Sequence, residues 1–173
     1  MSTSTIEWTD KTWNCVRGCA LVSEGCRNCY AMRQAHRFSG PGQPYAGLTV
    51  LGRHGPVWIG RARPAPDMLP APLRWRKPAR VFVNSMSDLF HEDISSEYIS
   101  AVFGIMSACP QHTFQILTKR PERAAVWFKN ERGLEICAET CKELDAIGFE
   151  RGCGSAFDPS DWPLKNVWLG VSV

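Results

Sequence analysis

The chain reads as an α/β protein built on a parallel sheet, a partial (β/α) barrel, on three observations. From Arg80 onward short strands alternate with amphipathic helices. Those strands are apolar throughout rather than at every second residue, as in sheets covered on both faces. The last, "NVWLGVSV", is apolar enough to need a strand on either side, so the barrel is expected to be truncated or split after it. A partner protein or a second copy would then complete it.

Each element has its own justification. "KTWN" is a short strand, and "YAMRQAHRF", without Gly or Pro, is a helix that stops at "SGPG". Residues 40–80 hold eight of the 12 prolines and six of the 14 glycines, which predicts an extended insertion with one short strand near "PVWIG". "RVFVNSM" is a buried strand ending in the polar turn "SDLFHED". In "SSEYISAVFGIMSAC", Ile99, Val102, Phe103 and Met106 fall at helical spacing behind a Ser95 or Ser96 cap, and Pro110 closes the helix. "HTFQILT" is the next strand, and "KRPERAAVWFKN" a helix with Pro121 in its first turn, where the missing N–H costs nothing. A helix over "LEICAETCKELDAIG" puts Leu134, Cys137, Cys141 and Leu144 on one face. The chain is thus expected to be one domain: 1–39 a cysteine segment and helix, 40–79 a Pro/Gly/Arg-rich insertion, and 80–173 the β/α repeats.

Composition narrows the function classes. At 44% hydrophobic and 21% charged residues the chain has enough apolar side chains for a core. It shows neither a basic start followed by an apolar run nor 18 uninterrupted apolar residues, so the expected location is cytoplasmic, with no membrane partner. Phosphate-binding glycine loops, Ser-His-Asp signatures and paired-carboxylate motifs are absent from the sequence. The net charge is only +3, yet Arg27 to Arg80 carries ten basic residues against one acid, Asp67, and the stretch after Pro121 is acid-rich. Such asymmetry fits a nucleic-acid partner or an arginine-rich solvated loop.

In a reducing compartment clustered cysteines bind metal or do redox chemistry more often than they form disulfides. "NCVRGCALVSEGCRNCYA" holds Cys15, Cys19, Cys26 and Cys29 between a short strand and a helix, and the end of a parallel sheet is where such folds place their sites. Three thiolates on a four-iron cluster leave one iron open to a substrate or cofactor. Four would close a structural zinc site.

The blocks "IEWTDKTWN", "RGCALVSEGCRNCYA", "RVFVNSMSDLFHE", "FQILTKRPER" and "VWLGVSV", in this order, resemble the phage and prophage three-cysteine-motif family, which is radical-SAM-like. The resemblance covers nearly the whole chain, although members usually continue past the final strand. It implies a radical-SAM-type barrel, a [4Fe-4S] cluster on Cys19, Cys26 and Cys29, and reductive cleavage of S-adenosylmethionine, with nucleic acid as a candidate substrate. The family commonly has no cysteine at the place of Cys15. The spacing, six then two intervening residues, departs from the three-then-two of better-known radical-SAM proteins, and a longer loop adds little closure entropy.

Residues just past each strand are the candidate cofactor contacts. Asn84, Ser85, Ser87 and Asp88 offer donors and a carboxylate, Thr118, Lys119 and Arg120 suit a carboxylate or phosphate, and Ser172 follows the last strand. Their structural alternatives are turn caps and solvated charges. His91 is the one histidine with a site-like neighbour, Asp88. Trp8 and Trp13 are expected to shield the cysteine segment, and Cys109, Cys137, Cys141 and Cys153 to pack in the core. The competing functions are a four-cysteine zinc module that binds nucleic acid and a non-catalytic subunit of a partner enzyme.

Overall fold

The computed structural model describes residues 6–130, 135, 137–140 and 162–172. Four strands form one parallel sheet in the order β1-β6-β7-β8: β1 (Lys11–Trp13), β6 (Arg80–Val83), β7 (Thr113–Thr118) and β8 (Val167–Val171). The crossover from β6 to β7 carries α2 (Ser96–Ser107), and α3 (Pro121–Phe128) follows β7. Mixed α/β architecture with a parallel sheet is therefore established.

Alternate residues of a strand face opposite sides. Val81, Val83, Phe114 and Ile116 point to the helices, where Ile99, Val102, Phe103 and Met106 of α2 close the core. Each such side chain stabilises by about 1.5–3 kcal/mol before chain entropy is counted. Phe103 stacks on Trp127 of α3 at 4.5 Å between centroids. The α2 cap is Ser95, whose Oγ accepts the Tyr98 N–H. The other sheet face carries Phe82, Gln115 and Trp168 in one cross-strand row, with Leu117 beyond it. Among the described residues the outer edge of β8 has no neighbouring strand. No described helix is long and apolar enough to cross a membrane.

Residues 40–80 differ from the expected single strand. They hold β3 (Thr49–Gly52), β4 (Gly55–Trp58) and β5 (Arg61–Pro64). β3 and β4 form a hairpin, and β5 pairs antiparallel with β2 (Val16–Cys19). These strands are four residues long and punctuated by Gly and Pro, so no periodic signal accumulates. The hairpin packs on α1 (Tyr30–His36), where Ala31, Met32, Ala35, Tyr45, Leu48 and Trp58 form a second small core. The segment thus buttresses the helix that follows the cysteines.

The expected helix from Leu134 is described only at 135 and 137–140, which are helical, and Cys141, Leu144 and Cys153 lie outside the described residues. Cys137 is buried and its Sγ donates to the Ser100 carbonyl on α2, and Cys109 is buried in the same core.

His91 and His112 are 2% and 1% exposed. Burial holds both below the ordinary 6.5, helped at His91 by the Arg120 charge. The unfolded chain therefore binds more protons than the folded one as pH falls below 6.5. The stability from these two groups is present above that pH and lost on acidification. Urea midpoints are expected to fall between about pH 7 and about pH 5.5, and a flat profile would count against two neutral buried imidazoles.

Candidate functional site

Segment 13–19 and the turn after β6 are laced together, and that lacing places Cys19. Asn84 N–H donates to the Trp13 carbonyl at 2.8 Å, Ser87 Oγ to the Val16 carbonyl at 2.8 Å, and the Ser85 hydroxyl to Asn14 Oδ1. Gly18 bridges in parallel to Ser87 and pairs with Ala62 of β5. Its φ is +88°, and a Cβ there would stand 2.3 Å from the Arg61 carbonyl oxygen. Gly18→Ala is expected to lower stability by about 1–3 kcal/mol, because backbone cannot yield as a side-chain end can. Urea unfolding checks it, and a neutral result would mean that β2 and β5 separate freely.

The loop after Cys19 turns through a short 3-10 helix, Glu24–Cys26, and delivers Cys29 to the residue before α1. Val22 N–H points at Cys26 Sγ at 3.5 Å. Burial works against ionisation of Cys26, but the Val22 and Ser23 backbones and the Ser23 hydroxyl together outweigh it and hold the thiol below its usual range. Burial pushes the Cys19 thiol up to about 11, and the Arg120 charge offsets this only in part.

Cys19, Cys26 and Cys29 line one cavity of about 170 Å³ at the carboxyl ends of the parallel strands. The sequence-derived contacts Asn84, Ser85, Ser87, Asp88, Thr118, Lys119, Arg120 and Ser172 line it as well. Strands of one sheet that run the same way end on the same side, which brings residues 150 positions apart together. Trp58, Phe82, Met86 and Leu117 add apolar wall. Trp58 and Met86 were missed because neither lies in a periodic run. Trp8 and Trp13 do not line this cavity. Trp13 is buried against Phe114 with its Nε1 donating to the Met68 carbonyl, and Trp8 packs on Phe82. His91 is likewise outside the cavity, its Nδ1 accepting the Asp93 N–H.

The polar residues divide by what they already bind. Asp88 accepts from Phe90 N–H, Thr118 Oγ1, Lys119 N–H and Arg120 Nη1, all between 2.8 and 3.2 Å. Arg120 also reaches Glu92 through Nε. Asp88, Thr118 and Arg120 therefore clamp the ends of β6 and β7 to each other. Asn84 is different. Its Oδ1 accepts the Val16 N–H at 3.0 Å, which fixes the amide orientation and leaves the buried Nδ2 without a partner among the described residues. Asn84 adopts φ 58°, a left-handed conformation that asparagine tolerates better than most residues. Among the described residues Lys119 Nζ hydrogen-bonds only the Ser172 carbonyl, at 3.3 Å, and keeps donors to spare.

Cys15 stands apart. It is fully buried in the main core, its Sγ donates to Asn84 Oδ1 at 3.6 Å, and burial pushes its thiol up to about 12. It does not line the cavity. Among the described residues no group of three or more His, Cys, Asp or Glu side chains converges closely enough to hold a metal ion. The three pocket cysteines share a cavity without meeting at a point.

Fold and site define a mixed α/β protein whose parallel strands end at a cysteine-lined pocket. The family model described as Protein of unknown function (DUF5131) matches residues 3–173, and the chain belongs to that family. No curated protein and no solved structure matches it.

Proposed function

We propose that the chain is an iron-sulfur enzyme of the radical-SAM type, of the phage and prophage three-cysteine-motif kind. It would hold a [4Fe-4S] cluster on Cys19, Cys26 and Cys29 with S-adenosylmethionine beside it. The observation that carries the reading is the single cavity lined both by these three cysteines and by the polar residues past β6, β7 and β8.

The residues present fit such a group. Thiolates on one zinc, about 2.3 Å from the metal, stand about 3.8 Å from one another. Thiolates on a cuboidal cluster sit on different irons and so further apart, which suits cysteines that share a cavity without converging. Cys15, the fourth ligand that a zinc site would need, is in the core. Asn84, a lining residue, keeps a buried Nδ2 donor with no partner among the described residues.

When bound, the cluster would supply the electron for reductive cleavage of S-adenosylmethionine, one iron being left without a protein ligand. The chain's own part is to bind, orient and keep water out. Lys119 Nζ offers a charge for a carboxylate, and Asp88 holds the Lys119 backbone in place. Phe82, Trp58, Met86 and Leu117 give the pocket apolar walls. The sheet would be part of a (β/α) barrel, and the free edge of β8, with Trp168 60% and Val171 54% exposed, would receive a strand from a second copy or a partner.

Anaerobic reconstitution with iron and sulfide tests the reading. The expected product is brown protein with about four irons per chain that binds S-adenosylmethionine. Colourless protein that takes up one zinc would overturn it.

A further inference from the structure

A second cavity, of about 130 Å³, adjoins the first, and Cys29 lines both. Its polar walls come from three places: Arg27 and Asn28 of the cysteine loop, Arg33 of α1, and His54 of the β3–β4 hairpin. Hairpin pairing of Gly52 with Gly55 leaves a two-residue turn, Arg53–His54, with both side chains exposed. Gly55, at φ 121°, closes that turn with a conformation glycine supplies.

Charge at this cavity is unbalanced. Among the described residues no acidic side chain lines it. Arg17, Arg61 and Arg80 are spoken for by Asp67, Asp93 and Asp10, and Arg27 pairs with Glu24 across two side chains 69% and 80% exposed, a pair of little worth. Arg33 and Arg53 have no acidic partner among the described residues. Arginine forks match phosphate oxygens bidentately, and the asparagine amide adds a donor. The positive charge also runs past the cavity to Arg53, beside Leu51 and Val50, which are 74% and 51% exposed. A single free anion needs no such extension, whereas a polymer of phosphates and bases does.

We propose that this cavity binds a backbone phosphate of a nucleic-acid strand, which the hairpin tip guides to the mouth of the cysteine pocket. The strand's role as the substrate acted on in that pocket rests on the function proposed above, and its binding does not. The arginine-rich stretch is divided by the fold, because Trp75 packs on His112 and under Lys11 at the amino ends of the strands. Arg76 next to it is an exposed cation at the opposite end of the sheet.

The test uses the full chain before any cluster loading, so its failure and the failure of iron incorporation are separate results. Fluorescence anisotropy of labelled single-stranded and duplex DNA is measured at about 50 and about 200 mM salt, beside titration with inorganic phosphate. The Arg33→Glu/Arg53→Glu variant is expected to lose at least about tenfold in affinity and to flatten the salt dependence by about one to two phosphate contacts. Arg33→Gln/Arg53→Gln, which is gentler on the fold, should show the same loss in weaker form, and Arg76→Glu none. Equal loss in Arg76→Glu, no binding of either DNA at the lower salt, or inorganic phosphate binding as tightly as the strand would overturn the proposal.

Discussion

Alanine at Cys19, Cys26 or Cys29 is expected to abolish incorporation of iron and sulfide, and Cys15→Ala to leave it intact. All four cysteines lie within fifteen positions, and spacing alone does not separate three ligands from four. Burial does. Cys15 sits in the main core, hydrogen-bonded to the same Asn84 oxygen that takes the Val16 N–H, and does not line the cavity that the other three line. Removing its sulfur is expected to cost about 1–2 kcal/mol of stability as a small core truncation. Removing any of the others would take a third of the protein ligands from the proposed cluster. Iron and sulfide analysis after anaerobic reconstitution, with urea unfolding of the same preparations, reads both effects. Iron loss in Cys15→Ala equal to that of the other variants would return the four-cysteine site.

Asp88→Ala is expected to cost about 3–5 kcal/mol, the largest stability loss of any polar substitution at the site. Its carboxylate is buried and accepts four donors, and Arg120, buried beside it, would keep only the exposed Glu92 as a charged partner among the described residues. An unpaired buried cation is costlier than the pair is favourable, so the loss exceeds what the ion pair contributes. Asp88→Asn keeps the shape and one acceptor, and about half of that loss is expected. Lys119→Ala, by contrast, is expected to change stability by no more than about 0.5 kcal/mol while weakening S-adenosylmethionine binding to the loaded protein. Urea unfolding and calorimetric titration separate the two behaviours. A loss below about 1 kcal/mol in Asp88→Ala would mean that the ends of β6 and β7 hold together without it.

The parallel strands from Arg80 were legible because apolar runs and helical spacing repeat over many residues, and the Ser95 cap and Pro121 mark helix starts by local chemistry alone. Of the antiparallel strands β2 to β5 only β4, expected near "PVWIG", was legible. Four-residue strands broken by Gly52, Gly55 and Pro56 are stabilised by pairing and by packing on α1, neither of which leaves a local pattern. Where Trp8 and Trp13 would pack was not legible for a related reason: composition says that a tryptophan will be buried, and only packing says against what.

For the site, residue type and position past a strand were enough to nominate Cys19, Cys26, Cys29 and the polar clusters after β6 and β7, because a parallel sheet sends all its strand ends to one side. Which of those groups remain free to meet a ligand was settled by tertiary contacts. Asp88, Thr118 and Arg120 are donors and acceptors in any sequence, yet here they satisfy one another, while Asn84, its oxygen claimed by Val16, keeps a buried N–H₂ unpaired among the described residues. Hydrogen-bond capacity belongs to the residue, but its availability depends on neighbours 30 to 70 positions away, which only the fold brings within 3 Å.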